Sequence, residues 1–570
     1  MPGVTGTVAQ IDLTSGAPES TSAGGEWFPL PATRTFTGLI RSVERLEADR
    51  DVRAVLVRLG TQRLNFPQVE EIGRLMAGIR RSRPVICHAH TLTNATLWLT
   101  LQGCDRTWLS PAGDVDAIGI GTQLIYFRKL LDSLDVKADF LAVGKWKSAA
   151  EPFLRDEPSE AAREEWLEIL GGMRKSWLDG VASARPTAVE SVENGPWGAR
   201  AALEHHLVDE LGDDRAALDD AKKRGHASDT KTVFGSEKKP GSEAALAELF
   251  RMLSGLEDGA ASRAHVAVVP LSGGITMGSE GLFEGEGIVH TGTIRTIERL
   301  AEDNDVRAVV LRIDSPGGSA LASDLIWLHL RKLAATKPVV VSIGGMAASG
   351  GYYLACAAEH IFAEPTSIVG SIGVVGGKIV IGPALEGHGV HAVTLTPSPD
   401  PGRVAYSSPF VSWNDATRTR VFEQMKGVYD LFIDRVSEGR KLERDRVLNL
   451  AEGRIYTGQR GKELGLVDEL GGLSAALEWA RRRAGLDERA PVTVEGAGDG
   501  LLSALGLDAQ ASLPEFTAAV ERQRRRLWSP LVLAPRSLIP LLSGITPVLG
   551  HERVLVLAPI ALDADAQWLP

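Results

Sequence analysis

Three stretches of this chain carry residue types suited to acyl transfer. Ser349 sits at the centre of GGMAASGGYYLA, flanked by Gly344, Gly345, Gly350 and Gly351. Glycines there permit a tight strand-to-helix turn and close approach of another backbone, which would leave the hydroxyl at a mouth. The segment after the serine reads as a helix whose first turn begins at Ser349, and free N–H groups at a helix start can receive a developing negative charge. The second stretch, IDSPGGSA at 313–320, is a strand end running through a Gly-Gly turn into a helix. Gly317 and Gly318 could present backbone amides to an oxyanion together with the amide of Gly350. The third is VGKWKSAAEPF, which holds Lys147. A free lysine has a pKa of about 10.4, so only about 0.1% is neutral near pH 7.5; a lysine acting as general base must be buried. Trp146, Ala149, Ala150 and Phe153 offer apolar walls for that. Lys145 is a rival base, expected at the surface, and Ser371 in SIVGSIGVVGG could aim the lysine nitrogen. Each feature also has a plainer reading: glycines that start a buried helix, a loop that needs positive φ, a solvated lysine, a loop hydroxyl. The serine lies in A-x-S-x-G rather than G-x-S-x-G, and no Asp and His follow at convincing positions, which disfavours a Ser-His-Asp triad.

The elements that must position these groups come in duplicate. Residues 41–60 and 295–314 match at 11 of 20 positions with an offset of 254, and the register holds through Pro84/Pro338 and Pro111/Pro365. Both halves close on LVDELG, at 207–212 and 466–471. The chemistry is divided between the copies. Ala95 stands where the second half has Ser349, and LGTQRLNFP where it has the glycine loop; Pro401 stands where the first half has Lys147. The copy without the serine thus also lacks the presumed oxyanion loop, which favours function over packing.

A chain of 570 residues, 44% apolar and 24% charged, exceeds what one core usually supports. Short β-branched runs alternate with helical patterns in both halves, predicting α/β units around a largely parallel, buried sheet. Strands are expected at Val306–Ile313 and Pro338–Ile343 with a helix at Ala320–Thr336 between them. Val52–Leu59, Val69–Arg80 and Pro84–His88 take the matching places. The polar tract 226–243 is expected to be a linker or surface crossing. Domains are placed at 1–250, carrying the lysine, 251–490, carrying the serine and oxyanion loop, and 491–570, an extension whose residues 515–527 read as an amphipathic helix. A net charge of −11 without a long basic run argues against nucleic acid as a partner. Cys87, Cys104 and Cys356 form no zinc or disulfide pattern and are expected as buried thiols. No signal peptide or spanning helix is visible, because four prolines and Arg536 interrupt the most lipid-like tract, 527–550; that tract could still lie on a membrane.

Taken together, GGMAASGGYY, DSPGGS, GSIG at 370–373, VGKWKSAAEPF and the repeated LVDELG resemble the signal peptide peptidase A (protease IV) family in its long, duplicated form, over roughly residues 1–490. The resemblance implies two tandem Clp/crotonase-like domains, a Ser-Lys dyad that cleaves signal peptides, a bowl-shaped homotetramer and membrane association. It assigns the nucleophile to Ser349, the base to Lys147, the orienting hydroxyl to Ser371, and the oxyanion donors to the Gly317/Gly318 loop and Gly350. No cofactor or metal is required. Two other readings stand beside it: a crotonase-like acyl-CoA hydratase or isomerase, which would need neither Ser349 nor Lys147, and a non-catalytic scaffold at a membrane surface.

Overall fold

The computed structural model describes residues 6–19, 35–61, 64–235, 263–278, 287–397 and 405–495, together with short strands at 554–557, 561–563 and 568–569. In the first half Gly6–Leu13, Val52–Leu59, Val85–Thr93 and Arg106–Asp116 run parallel and side by side. The second half repeats that order with His265–Ser272, Val306–Ser315 and Val339–Ala348, which then pairs with both His360–Ala363 and Ile368–Gly370. Helices such as Phe66–Arg80 and Ala320–Ala334 join successive parallel strands, as parallel pairing demands. The chain is therefore α/β with a tandem duplication. All ten residues of Val339–Ala348 are buried, which is why this strand reads as an unbroken run of apolar and small residues. It outruns the expected Pro338–Ile343 because GGMAA continues the pairing, to Ile368–Gly370.

Two expectations are corrected. Much of the presumed linker 226–243 is an edge strand, Ala227–Phe234, parallel to Gly6–Leu13, and Val492–Val494 takes the same place in the second half. Its polar residues misled because an edge strand keeps much of its surface in solvent, and here five of its eight residues are exposed. Cys87 and Cys104 are not separate thiols but are joined as a disulfide, since the strand holding one and the helix end holding the other bring their Cα atoms to 6.0 Å. Cys356 is free and buried. The expected boundary near residue 250, the helix at 515–527 and the tract 527–550 lie outside the described residues.

The halves are joined by a third sheet. Lys137–Val143 leaves the first half and pairs antiparallel with Val374–Val380 of the second over seven residues. Buried polar contacts reinforce the seam. Arg312, fully buried, meets both oxygens of Glu19 at 2.8 and 2.9 Å. Glu71 accepts the N–H groups of Leu473 and Ser474 at 2.9 and 2.7 Å, capping a helix of the other half where an anion is favoured. Among the described residues no helix is long and apolar enough to cross a membrane.

Candidate active site

The central strand Val339–Ala348 delivers Ser349 to its end, and helix Gly350–Ala355 starts immediately after it. Ser349 has φ 55° and ψ −114°, an unfavourable backbone for a residue with a Cβ. Two bonds impose it: the Ser349 N–H donates to the Gly370 carbonyl at 2.7 Å, and the Ser349 carbonyl accepts from the Tyr353 N–H at 2.8 Å. Gly351 is required as glycine, since a Cβ there would stand 2.6 Å from the Ser315 carbonyl oxygen. No side chain caps this helix, and the Gly350 N–H, first of the helix, has no intrahelical acceptor.

The DSPGGS loop lies against that helix start. A Cβ on Gly350 would stand 3.1 Å from Gly317 Cα, and at Gly318, with φ of 154°, one would collide with the Ile275 carbonyl. The loop is tied to the strand bearing the serine by Asp314, which accepts the Met346 N–H at 3.0 Å. Burial, with the Glu19 carboxylate nearby, pushes the Asp314 carboxyl up to about 7. The Gly317 N–H already donates to Ser315 Oγ at 3.2 Å, so of the two loop glycines Gly318 is the one whose amide has no such side-chain acceptor.

Lys147 arrives from the other half. Past strand Lys137–Val143 the chain turns through Gly144, and the Trp146 N–H donates to the Glu452 carbonyl at 2.7 Å. The loop presses so tightly on Gly453 that a Cβ there would stand 2.6–2.7 Å from Lys147 N, Cα and Cβ. Lys147 is buried, and its Nζ lies 2.6 Å from Ser349 Oγ, 3.0 Å from the Ser371 carbonyl and 3.1 Å from Ser371 Oγ. Burial holds its pKa well below the ordinary lysine value, against the opposing pull of Glu165. A neutral amine suits these three contacts: two N–H bonds can go to Ser371 and the lone pair can accept the Ser349 hydroxyl proton. Ser371 is itself held with φ 53° by its N–H bond to the Arg454 carbonyl at 2.7 Å.

Lys145, by contrast, is exposed, with its ammonium 4.8 Å over the Trp146 ring, and it is not among the groups that shift Lys147. Ala149, Ala150 and Phe153 pack with Phe140, Val375 and Ile379 in a satellite cluster. Glu165 went unnoticed in the sequence. It lies on helix Glu160–Ala184 among the buried residues Ala162, Trp166, Ile169 and Met173, and a carboxylate on that apolar stripe was the available signal. Its Oε1 accepts the Ile455 N–H at 2.7 Å, its Oε2 is buried without a partner, and burial pushes its pKa up to about 8.

Fold and site together place a buried hydroxyl and a buried amine, one from each α/β half, within hydrogen-bond reach. The sequence pattern of peptidase family S49 matches residues 79–228 and 331–487, one stretch in each half. Protease 4 of Salmonella typhi is 32% identical over 469 residues, covering 79% of this chain and 72% of that protein. Protease 4 of Haemophilus influenzae is 29% identical over 461 residues, covering 78% and 72%. The chloroplastic serine protease SPPA of Arabidopsis thaliana is 28% identical over 453 residues, covering 78% and 65%. The chain belongs to peptidase family S49 and is a serine peptidase. The acyl-CoA enzyme and the non-catalytic scaffold find no support in these matches.

Proposed function

We propose that Ser349 and Lys147 act as a Ser-Lys dyad that hydrolyses extended apolar peptides, signal peptides foremost. The observation that carries this reading is the 2.6 Å separation of Lys147 Nζ and Ser349 Oγ, with both residues buried. The neutral amine takes the hydroxyl proton as Oγ bonds to the scissile carbonyl carbon. The carbonyl electrons move onto oxygen, where the Gly350 N–H and an amide of the Gly317/Gly318 loop, Gly318 by preference, stabilise the charge. Collapse breaks the C–N bond, and Lys147 gives its proton to the departing amine. Lys147 then takes a proton from water as that water attacks the acyl-enzyme, and returns it to Ser349 Oγ. Ser371 fixes the direction of the lysine through its two oxygens. Signal peptides fit the family resemblance and the protease names of the relatives, and the chemistry needs no cofactor. By the same resemblance the chain assembles as a homotetramer, a mass that light scattering measures directly.

The test is labelling with a fluorophosphonate. Ser349 should be modified in the native chain and unmodified in Lys147→Met, with peptide hydrolysis in that variant lower by about 10²–10⁴-fold. Labelling that survives in a folded Lys147→Met chain would refute the dyad.

A further inference from the structure

Gly344 and Gly345, upstream of Ser349, do not belong to the turn at the serine. On the strand Val339–Ala348, Ile343 stands opposite Ile313 of the neighbouring strand Val306–Ser315, but the next paired residues are Ala347 and Ser315, so Asp314 falls against Gly344, Gly345 and Met346 together. This is a bulge, a device that re-aims a strand beside an active site. It is also where Val339–Ala348 exchanges partners, for Ile343 pairs with Ala363 and Met346 with Ile368. A bulge leaves amides without ladder acceptors, and buried N–H groups must find others. The Asp314 carboxylate supplies them, accepting the Met346 N–H at 3.0 Å and also the Gly345 N–H. Space for it comes from the glycines. A Cβ on Gly344 would stand 3.2 Å from Asp314 Cβ and 3.3 Å from Glu19 Oε1, and one on Gly345 would stand 3.1 Å from Asp314 Oδ1 and 3.2 Å from Asn65 Nδ2. Glu19 and Asn65 belong to the first half, so that half backs the bulge directly.

We propose that Asp314 is a positioning residue of the peptidase centre: its carboxylate, seated in the Gly344–Met346 bulge, fixes the strand that delivers Ser349 against the loop that holds the oxyanion. The proposal rests on the reading of Ser349 and Lys147 as that centre. Asp314 belongs covalently to the loop and by hydrogen bonds to the serine's strand, and it acts through both. On the loop side its own carbonyl accepts the Gly273 N–H at 2.9 Å. The next residue, Ser315, donates its hydroxyl to the Gly273 carbonyl at 2.7 Å and accepts the Gly317 N–H at 3.2 Å, just before Gly318. On the strand side, pairing of Met346, Ala347 and Ala348 with Ile368, Val369 and Gly370 carries the constraint up to the serine. The duplicate half serves as the control. Gly60 stands there in place of Asp314, and His90 and Thr91 in place of Gly344 and Gly345. The copy that lacks the nucleophile thus lacks the carboxylate and both glycines, whereas a clamp needed only for folding would serve either half.

The experiment compares the full chain with its variants Asp314→Ala, Asp314→Asn and Gly345→Ala. Sites are counted by exhaustive fluorophosphonate labelling of Ser349, and the readouts per site are kcat and KM for a fluorogenic apolar peptide and the Ki of a peptide aldehyde of the same sequence. Ser349 Oγ adds reversibly to the aldehyde carbon while its proton passes to Lys147, so the adduct carries the oxyanion and reports on the loop amides. In Asp314→Ala kcat should fall on the order of 10²-fold, the cost of about 1 Å of misplacement, with KM within about twofold and the aldehyde Ki raised by the factor that kcat loses. Asp314→Asn keeps an oxygen for the Met346 N–H and should recover kcat to within about tenfold of the native value. Gly345→Ala crowds the carboxylate and should move kcat and Ki in the same direction as Asp314→Ala. A folded Asp314→Ala chain with native kcat per site, or with a loss confined to KM, overturns the proposal, as does an asparagine variant no better than alanine. Should Asp314→Ala fail to fold, as judged by circular dichroism, Gly345→Ala decides: lowered kcat with a raised aldehyde Ki supports the proposal, and native values of both overturn it. Absence of labelling and of aldehyde inhibition in the native chain would strike the assignment of the peptidase centre instead.

Discussion

Glu165→Gln isolates the electrostatics of the site without touching the reacting groups. Glutamine keeps an oxygen for the Ile455 N–H now bonded at 2.7 Å and has nearly the same volume, but it cannot ionise. The groups that face this carboxyl are Lys147, Arg454, Glu168 and Tyr456, and burial outweighs them, raising its pKa from 4.5 to about 8. A folded-state pKa above the unfolded one means the native chain holds a proton that the unfolded chain releases. Its stabilising contribution is complete below about pH 4.5 and is lost as pH climbs through about 8. The loss is close to 1.4 kcal/mol per pH unit in that interval, on the order of 5 kcal/mol across it. Glu165→Gln should therefore match the native chain near pH 4.5, grow progressively more stable than it up to about pH 8, and hold a constant advantage beyond. Thermal midpoints of both proteins at half-unit steps from pH 5 to 9 measure this. A midpoint difference that is flat from pH 5 to 9 would refute the reasoning.

Three substitutions probe what positions the dyad and seals the halves. Ser371→Ala deletes the 3.1 Å bond to Lys147 but keeps the 3.0 Å bond from the backbone carbonyl, so kcat should fall about fivefold, the worth of roughly 1 kcal/mol, with KM unchanged in steady-state assays. Gly453→Ala forces a Cβ into the Lys147 backbone at a φ of 83°, and the displaced amine should cost on the order of 10²-fold in kcat while circular dichroism stays native. Arg312→Met strands the buried Glu19 carboxylate and should destabilise the protein by about 3–5 kcal/mol in denaturant melts; adding Glu19→Gln should recover most of that.

Much of this architecture is legible in the sequence because the duplication lets each half interpret the other. The strand over Val306–Ser315 and the helix over Ala320–Ala334 follow from periodicity, and the parallel sheet from runs buried on both faces. The edge strand Ala227–Phe234 was hidden by its polarity, and the disulfide by a spacing with no recognisable pattern. What closes around Lys147 was illegible for a different reason. Gly453 reaches the lysine only through the packing of the two halves, 306 residues after it, and Glu165 only through the docking of a separate helix of the lysine's own half; no local pattern encodes either contact.

The first half shows why a strand, a turn and a helix do not by themselves make a nucleophile site. There the helix Asn94–Gly103 begins with a capping box, in which Thr93 Oγ1 accepts the Thr96 N–H and Thr96 Oγ1 accepts the Thr93 N–H. Thr93, at the cap, keeps an extended backbone, φ −91° and ψ 176°. In the second half the equivalent helix has no side-chain cap, and its cap residue is Ser349 itself, turned to positive φ. Capping satisfies orphan amides and stabilises a helix by about 1 kcal/mol, whereas leaving them open forgoes that stability and makes them available to a developing oxyanion. The two copies thus spend one structural feature in opposite ways. In the proposed dyad the capped copy contributes the amine, through strand Lys137–Val143, and the uncapped copy the hydroxyl and the open amides. Neither half holds both reacting groups of that dyad, which makes the seam formed by Lys137–Val143 against Val374–Val380 as much a part of the proposed chemistry as the serine.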